Sequence, residues 1–348
     1  MARDAYAKAG VDISKIKRLQ EFMSGVFGTT FDYRLGKLGR PILPIGHYAG
    51  IIDLGGDQAL AIHADGVGTK VLVAQMMRKY DTVGIDCVAM NVNDLLCMGS
   101  EPMAMVDYLA LEREDDQLVK EVANGLAEGA RRASIAIAGG ETAVLGEIIK
   151  GVGGRGFDLA GVGVGLVRKN KIVDGSRIME GDRIVGIRSS GLHSNGFTLA
   201  RKVLKVEKNL RKAVPGLGKV LGDELLTPTA IYVNPVLEIV KKADVHGLAH
   251  ITGGAFSKLK RLVKERPLSF KLDPFPSLPI FELIKKQGKL SDKEMYSTFN
   301  MGVGFCIVAP PGELGQILRI CGRHRVEAFE MGKITGGEGV FVGRVRAA

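Results

Sequence analysis

The sequence predicts an α/β protein built from two domains, and three observations lead to this fold class. The 348 residues exceed what one small hydrophobic core usually serves. The composition, 46% hydrophobic and 25% charged, is that of an ordinary globular protein. Strand-like apolar runs alternate with helix-like segments along both halves. The charge rises abruptly at Arg168-Lys169-Asn170-Lys171, so we predict domains of residues 1–168 and 169–348.

In the first half, predicted strands end in glycine-rich turns or lead into helices. Asp81 can cap a helix that Gly99 ends. Asp115 or Asp116 caps a second helix, whose apolar residues recur at every fourth position from Leu118. The predicted helix and strands cover residues 82–98 (helix) and residues 59–64, 103–111, 135–138 and 159–167 (strands). The strand over 135–138 is expected to end in Gly139-Gly140-Glu141-Thr142.

The second half repeats the same rhythm of strand, loop and helix. The predicted strands cover residues 183–188, 245–251 and 298–308, and the helices cover residues 197–204 and 311–321. Thr252-Gly253-Gly254 is expected to open a further, basic helix. Neither half has a dinucleotide-binding G-x-G-x-x-G between a strand and a helix, which disfavours a Rossmann domain.

Charge and composition argue against several classes of protein. The net charge is +10, but only 6% of the residues are aromatic, and basic and aromatic residues are not interleaved as in a base-stacking surface. We therefore expect no nucleic-acid partner. The four cysteines form no C-x-x-C pair, and the absence of a long uncharged apolar run predicts no membrane partner and a cytoplasmic location.

The segment His63-Ala-Asp-Gly-Val-Gly-Thr-Lys70 combines features of a phosphate-binding loop. Its order differs from the common P-loop, in which the lysine precedes the hydroxyl residue. Asp65 can reach a metal ion, Gly66 and Gly68 leave backbone N–H groups open, and Thr69 and Lys70 add a hydroxyl and a charge. A simple glycine-containing turn is the alternative.

Two further groups of acids strengthen the first interpretation. Asn91 and Asp94 share one face of the predicted helix, and polar groups on a helix so rich in apolar residues need partners. Glu141 follows two glycines at the end of another predicted strand, over residues 135–138. Carboxylate and amide oxygens suit Mg²⁺ and nucleotide phosphates, whereas zinc would favour His or Cys. A solvated polar stripe on the helix is the alternative.

In the second half, the loop Ser189-Ser-Gly-Leu-His-Ser-Asn-Gly196 supplies hydroxyls, an imidazole and an amide within eight residues. These groups suit a binding site. A polar surface loop with a structural histidine is the alternative.

Taken together, the motifs resemble the phosphoribosylformylglycinamidine cyclo-ligase family, also called aminoimidazole ribonucleotide synthetases. The matching segments, in chain order, are Tyr6–Ile13, His63–Lys70, Gly84–Leu96, Gly99–Pro102, Gly139–Ala143, Ser189–Phe197, Leu225–Val233, His250–Gly254 and Met295–Gly304. They span nearly the whole chain, in the order and spacing of the family.

The resemblance implies an ATP-dependent ring closure in purine biosynthesis that converts formylglycinamidine ribonucleotide to 5-aminoimidazole ribonucleotide, with release of ADP and phosphate. ATP phosphorylates the formamide oxygen, and an amidine nitrogen then attacks that carbon and expels phosphate. The resemblance also implies a homodimer in which the mixed sheets of the N-terminal domains pair, and a C-terminal α/β sandwich that completes each site.

The same resemblance assigns the site residues. Mg²⁺ and the ATP phosphates would be held by Asp65, Asp94 and Glu141. Further ATP contacts would come from Gly66, Gly68, Thr69, Lys70, Asn91 and Thr142. The catalytic residues would be Asp65, Lys70, Asp94 and His193, with His193 as the candidate for proton handling. The substrate would be bound by Ser190, His193, Ser194, Asn195, Thr252, Gly253 and Gly254, the last three at the ribose phosphate.

Two departures and three alternatives accompany this assignment. Bacterial members carry a lysine in the N-terminal helix and then a G-G-x-G-G-F loop, but this chain has Met23–Phe27 and Pro44–Gly50 there. Lys17 and Lys37 are the candidates to replace that lysine.

Thiamine monophosphate kinase and selenophosphate synthetase share the ATP-binding superfamily. The kinase lacks the paired H-S-N-G-F and T-F-N-x-G-V-G segments. The synthetase needs an N-terminal Cys, and the first 80 residues of this chain contain no Cys. A non-catalytic basic protein gains nothing from carboxylates at an anion site.

Overall fold

The computed structural model describes residues 13–264 and 266–348. Most of the Tyr6–Ile13 motif lies outside these residues. The α-helices are α1 (Ile13–Gly28), α2 (Val71–Met77), α3 (Asp81–Leu96), α4 (Asp116–Ala133), α5 (Phe197–Val203), α6 (Val206–Asn209), α7 (Leu221–Leu225), α8 (Val233–Lys242), α9 (Pro279–Gly288), α10 (Asp292–Thr298) and α11 (Leu314–Arg323).

The strands form two sheets. They are β1 (Gly50–Asp53), β2 (Gln58–Gly66), β3 (Glu101–Leu111), β4 (Ala136–Val144), β5 (Phe157–Arg168), β6 (Arg183–Arg188), β7 (Gly247–His250), β8 (Leu268–Leu272), β9 (Val303–Ala309), β10 (Ala328–Gly336), β11 (Gly339–Val342) and β12 (Val345–Arg346). The first sheet has the order β1-β2-β5-β3-β4, and the second has the order β12-β11-β8-β10-β6-β9-β7.

The first sheet is mixed, with antiparallel neighbours except for the parallel pair β3 and β4. Helices α3 and α4 pack together beside it, and Gly84 and Gly125 lie at their crossing, where a Cβ on either glycine would collide with backbone atoms of the other helix. This close approach buries every residue of α3 except Asp81. Helix α3 is therefore the central element of the N-terminal half.

The second sheet is also mixed, because β8 and β11 pair in parallel while its other pairs are antiparallel. Strand β6 leads into the loop 189–196, and β7 leads into Thr252-Gly253-Gly254. Both segments face the first half of the chain. The second sheet therefore places the polar loops predicted from the sequence next to the N-terminal half.

The α/β fold class and most of the predicted elements are confirmed. Asp115 caps α4, accepting a hydrogen bond from the Leu118 N–H, and Gly99 ends the α3 region with a positive φ of 71°. The sheets lie on either side of the predicted 168/169 boundary. That boundary stays a prediction, since one continuous hydrophobic core includes residues of both halves.

Two element predictions were wrong. Strand β4 does not end before Gly139 but continues to Val144, because residues 139–144 pair in parallel with residues 106–111 of β3. Thr298 does not begin a strand but ends α10, a helix that starts with a capping box between Ser291 and Glu294. The strand predicted there begins only at Val303.

Among the residues that the structure describes, none of the helices has the length and apolar character needed to cross a membrane.

Candidate active site

Four of the buried polar side chains on helix α3 are each bonded to a different part of the chain. Asn91 is paired with the backbone of Asp65 in β2: its Oδ1 accepts from the N–H and its Nδ2 donates to the carbonyl, both at 3.2 Å. Asn93 donates to the carbonyl of Ala230 at 2.8 Å and accepts from the Tyr232 N–H at 3.0 Å. The alternative interpretation, a solvated polar stripe on α3, is therefore excluded.

Asp86 forms the third of these bonds. Its Oδ1 accepts from the N–H and the hydroxyl of Thr229 at 2.7 and 2.6 Å, and its Oδ2 lies 2.7 Å from the Lys70 ammonium. Through these hydrogen bonds, Asp86 and Asn93 hold the segment between α7 and α8 against helix α3. The 189–196 loop is hydrogen-bonded to the backbone of the same segment, at Pro228 and Ala230.

The fourth, Asp94, lies in a cluster with His63 and Asp65. The ligand atoms of the three side chains all lie within 4.8 Å of one another. His63 Nε2 is 3.4 Å from Asp94 Oδ2 and 4.0 Å from Asp65 Oδ2. On the other side, His250 Nδ1 donates to Asp94 Oδ1 at 2.7 Å. We call His63, Asp65 and Asp94 the acid cluster.

Neighbouring side chains shift the pKa values of Asp94 and His63 in the acid cluster. Burial alone would raise the pKa of Asp94, but the hydrogen bond from His250 and the charges of His250, His63 and Lys258 hold it below its usual value. Burial alone would lower the pKa of His63, but the Asp65 and Asp94 carboxylates outweigh burial and raise it. Asp94 is thus an ionised carboxylate at neutral pH.

The acid cluster opens into a cleft of ≈ 590 Å³ between the two halves of the chain. One wall consists of β1, β2 and the preceding segment, including Tyr48. The opposite wall, from the C-terminal half, contains Asn195, Thr252, Gly253, Lys258 and Arg261. The volume lies in the usual range for a small-molecule site, and the two walls differ in charge.

The structure brings some of the predicted residues together. Asp65 and Asp94 face the same cleft as Asn195, Thr252 and Gly253. The N–H of Gly66 is bonded to Asp65 Oδ1 at 2.8 Å, which leaves Oδ2 free.

Glu141 and Thr142 lie elsewhere in the chain. They belong to β4, which β5 and β3 separate from β2, so strands β2 and β4 are three strand spacings, about 14 Å, apart. Glu141 is exposed. Its shared role with Asp65 and Asp94 stays a prediction, and within one chain the three carboxylates do not meet.

Lys70 is buried at the junction of the two halves. Its ammonium lies 2.7 Å from Asp86 Oδ2 and donates to the Thr227 carbonyl at 2.8 Å. Gly68 and Thr69 stay exposed, and the Thr69 hydroxyl is 3.2 Å from that of Thr198. The contact between Lys70 and phosphate stays a prediction, and in this structure the Lys70 side chain joins the two halves of the chain through Asp86 and Thr227.

His193 is buried within its loop. Its Nε2 accepts from the N–H groups of Ser190 and Ala230 at 3.2 and 3.5 Å, while its Nδ1 is buried with no hydrogen-bond partner among the described residues. Burial keeps the pKa of His193 well below its usual value, assisted by the charges of His250 and Lys70. The imidazole is therefore neutral, and its role in proton handling stays a prediction.

The remaining residues of this loop divide into anchors and one cleft residue. Ser190 donates to the Pro228 carbonyl at 2.5 Å, and the Ser194 hydroxyl is 3.1 Å from that of Thr229. Only Asn195 lines the cleft among the predicted loop residues. Gly254 follows Gly253 with a positive φ of 81°.

Two lysines were the candidates to replace the bacterial N-terminal lysine. Lys37 is exposed and is not among the residues lining the cleft, and the side chain of Lys17 lies outside the described part.

Sequence reasoning missed five residues of the site: His63, Tyr48, His250, Lys258 and Arg261. A signal existed for His63, because it stands two positions before Asp65 on a strand and so shares its face. His250 could not be found in this way, since its partner Asp94 is 156 residues away along the chain.

Comparison with known proteins agrees with this architecture. Residues 46–167 match the N-terminal domain, and residues 179–344 the C-terminal domain, of the AIR synthase related proteins. The chain is 49% identical over 97% of both chains to a phosphoribosylformylglycinamidine cyclo-ligase of Thermococcus kodakarensis. It is 46% identical to one of Methanococcus maripaludis, over 94% of this chain and 91% of that one.

Solved structures share the fold at lower identity. Thiamine-monophosphate kinase from Stenotrophomonas maltophilia superposes with a TM-score of 0.62 at 20% identity, covering 92% of this chain and 96% of the other. T. maritima PurL complexed with FGAR has a TM-score of 0.61 at 18% identity, covering 90% of this chain and 47% of the other. At these identities the likeness concerns the fold alone. The identity to the two cyclo-ligases is far higher, at 49% and 46% over more than nine-tenths of each chain, and the chain therefore belongs to the phosphoribosylformylglycinamidine cyclo-ligase family of AIR synthase related proteins.

Proposed function

We propose that the protein is an ATP-dependent cyclo-ligase that converts formylglycinamidine ribonucleotide to 5-aminoimidazole ribonucleotide, with release of ADP and phosphate, in purine biosynthesis. The observation that carries the proposal is near-full-length identity of 46–49% to cyclo-ligases, together with a cleft whose acid cluster faces polar groups of the C-terminal half. We also propose a cytoplasmic location, where ATP and phosphorylated ribose compounds are available.

The reaction needs two steps at one carbon. The formamide oxygen takes the γ-phosphoryl group of ATP, and the bond between that phosphorus and ADP breaks. An amidine nitrogen then attacks the formyl carbon, the C–O bond breaks, and the oxygen leaves as part of phosphate. An amide oxygen is a poor leaving group until it is phosphorylated, so the protein's task is positioning and the balancing of charge.

The residues of the cleft suit that task. His250 keeps Asp94 ionised and in one orientation by donating a hydrogen bond from its Nδ1. The Nε2 of His250 lies 3.4 Å from the Asn93 amide nitrogen. Because an amide nitrogen can only donate, Nε2 accepts there and the ring proton is on Nδ1. Asp65 is held by the bonds of its own backbone to Asn91. Both carboxylates therefore occupy fixed places, which reduces the reorganisation needed when charged phosphates arrive.

The acid cluster fits the Mg²⁺ that the family implies. Asp65 Oδ2 and Asp94 Oδ2 are the oxygens not already used by Gly66 and His250, and two carboxylates plus substrate phosphates are a usual arrangement for this ion. When bound, Mg²⁺ would neutralise phosphate charge. His63 lies beside both oxygens and would orient them, since a nitrogen ligand is a poor match for magnesium.

A second copy of the chain is the proposed protein partner. Met103, Val106, Tyr108, Val144 and Val162 of the first sheet are between 38% and 48% exposed, an apolar surface that a monomer would leave in water. We infer that this face pairs the N-terminal sheets of a homodimer.

An activity assay tests the proposed function. The protein is incubated with ATP, Mg²⁺ and either formylglycinamidine ribonucleotide or thiamine monophosphate, and the aminoimidazole product, ADP and phosphate are measured. We expect one ADP and one phosphate for each imidazole formed, and no turnover with thiamine monophosphate. Phosphorylation of thiamine monophosphate without imidazole formation would replace the proposal with the kinase alternative.

A further inference from the structure

A second, smaller groove lies in the C-terminal half of the chain. It has a volume of ≈ 230 Å³ and lies between helix α9 and the segment that runs from the end of α5 to the start of α7. We call it the basic groove and define it by Leu204, Lys212, Val214, Leu221 and Leu283. Its described lining residues and those of the cleft do not overlap, so the basic groove is separate from the candidate active site.

The floor of the basic groove is apolar and recessed. Leu204 and Leu221 are buried, while Val214 and Leu283 are half-buried and pack against the hydrophobic core. The strongly exposed large apolar side chains of the described structure all lie outside this groove. A recessed apolar floor suits a partner's side chain that inserts between its walls, whereas binding to a lipid surface needs apolar side chains that protrude.

The rim of the basic groove is strongly positive. Of the twelve residues 201–212, six are Lys or Arg and one, Glu207, is acidic, so this short segment carries half of the chain's net charge of +10. Four of these cations are exposed and have no carboxylate oxygen within 4.0 Å in the described part of the chain: Lys205, Lys208, Arg211 and Lys212. Glu224, which follows in α7, pairs with Lys219 instead. Clustered like charges of this kind attract a partner of opposite charge.

Hydrogen bonds fix the shape of the basic groove before a partner arrives. The loop between α6 and α7 is closed by antiparallel pairing of Ala213 with Val220. On the rim, Lys212 Nζ donates to Asn209 Oδ1 at 3.0 Å, and Asn209 Nδ2 donates to the Leu204 carbonyl at 2.9 Å. A preformed surface loses less conformational entropy when a partner binds.

These features favour one kind of occupant. The described lining residues include no aromatic side chain, so the basic groove lacks the stacking surface that is typical of sites for single-stranded nucleic acid. Its recessed floor does not reach into a lipid bilayer. A polypeptide segment in which Asp or Glu flanks aliphatic residues matches both the positive rim and the apolar floor.

We propose that the basic groove is a docking site for an acidic segment of a partner protein. The segment places an aliphatic side chain against Val214 and Leu283, and its carboxylates lie against Lys205, Lys208 and Arg211. The rim cations speed association and exclude basic partners, while burial of the aliphatic side chain supplies affinity. This docking site lies outside the candidate active site and does not depend on the ring-closing activity.

Peptide selection tests the chemistry of the occupant. A library of random short peptides displayed on phage is selected against the full-length protein. We expect the enriched peptides to combine Asp or Glu with Leu, Ile or Val, and their binding to weaken as the salt concentration rises, because salt screens exposed charges. Enrichment of peptides without acidic residues would overturn the proposal.

Charge reversal on the rim tests the location. For the double variant Lys208→Glu with Arg211→Glu, we expect Kd for the selected peptides to rise at least about tenfold. Val214→Asp should act in the same direction, because it places a carboxylate on the apolar floor. The matched control, Lys241→Glu with Lys333→Glu, reverses two exposed charges on other surfaces and should bind as the wild type does. Thermal melts establish that each variant is folded.

A comparison of ligands separates the possible occupants. A selected peptide, a short single strand of DNA and vesicles containing phosphatidylserine are each titrated into the wild type and the double variant Lys208→Glu with Arg211→Glu. Peptide binding that the double variant loses and the matched control keeps supports the proposal. Binding of DNA or vesicles that is tighter than peptide binding and is lost in the double variant would overturn it, as would peptide binding that is equal in the wild type and the double variant.

Discussion

Asp94 is the residue on which the two halves of the site depend. It stands on a helix of the N-terminal half, accepts a hydrogen bond from His250 of the C-terminal half, and contacts His63 within its own half. Asp94 is buried and ionised, because its neighbours offset the cost of burial. A charge kept in such a place is typical of a functional group.

Replacing Asp94 with Asn tests that role. The substitution keeps the shape and still accepts the His250 hydrogen bond, but it removes the charge. We expect kcat to fall by at least about a hundredfold at saturating Mg²⁺, with far-UV circular dichroism unchanged. Asp116→Asn, at an exposed carboxylate paired with Lys120, is the control and should keep full activity. Near-normal kcat in Asp94→Asn would remove this carboxylate from the mechanism.

At the scale of elements, the link between Lys70 and Asp86 joins the loop before α2, helix α3 and the segment before α8. The sequence alone places Lys70 at the phosphates, whereas the structure places its ammonium against Asp86. For Lys70→Met we expect a loss of about 3–5 kcal/mol in the free energy of unfolding, because it leaves a buried carboxylate unpaired.

Urea denaturation measures that loss, and the double variant Lys70→Met with Asp86→Asn should recover part of it. A variant Lys70→Met that is as stable as the wild type but no longer binds ATP would favour the phosphate contact instead.

The link between α8 and α11 depends on pH. Glu238 contacts Lys242, Arg323 and His324. Its carboxylate accepts hydrogen bonds from these side chains, which lower the pKa of Glu238 from 4.5 to about 2. Because the folded-state pKa is depressed, this stabilisation is present above the unfolded value of 4.5 and is lost as the pH falls to about 2. Melting temperatures of the wild type and Glu238→Gln should therefore differ at pH 6 and converge near pH 2. A constant difference across this range would contradict the assignment.

The sequence predicts elements better than it predicts the site. Periodicity and caps locate α4 and β6 well, because these signals are local. Glu141 was expected at a strand end, but parallel pairing with β3 extends β4 past both glycines, and such pairing is non-local. The contacts of Lys70 and His250 join residues 16 and 156 positions away. Spacing along the chain does not reveal contacts of this kind.

At the scale of the whole molecule, the proposed dimer would give Glu141 a place that one chain does not. Within a chain it lies about 14 Å, three strand spacings, from the strand of Asp65, so all three carboxylates can share a site only if a second copy brings its own β4 to the acid cluster. The exposed apolar face that includes Val106 and Tyr108 is the surface through which two copies would pair.

Analytical ultracentrifugation tests this assembly. The wild type should sediment with twice the chain mass, and Val106→Lys with Tyr108→Lys should sediment as a monomer that has lost turnover. The surface variant Met179→Lys, at a methionine that is 56% exposed in the C-terminal half, should remain a dimer. A fully active monomer would contradict both the dimer and the role of Glu141.

In the proposed reaction ATP activates the formamide oxygen, and an isotope experiment tests this activation most directly. The substrate is prepared with ¹⁸O in its formyl group, turned over with unlabelled ATP in ordinary water, and the released phosphate is analysed by mass spectrometry. We expect one ¹⁸O atom in each phosphate, because the C–O bond breaks after the oxygen has bonded to phosphorus. Unlabelled phosphate accompanying imidazole formation would contradict it.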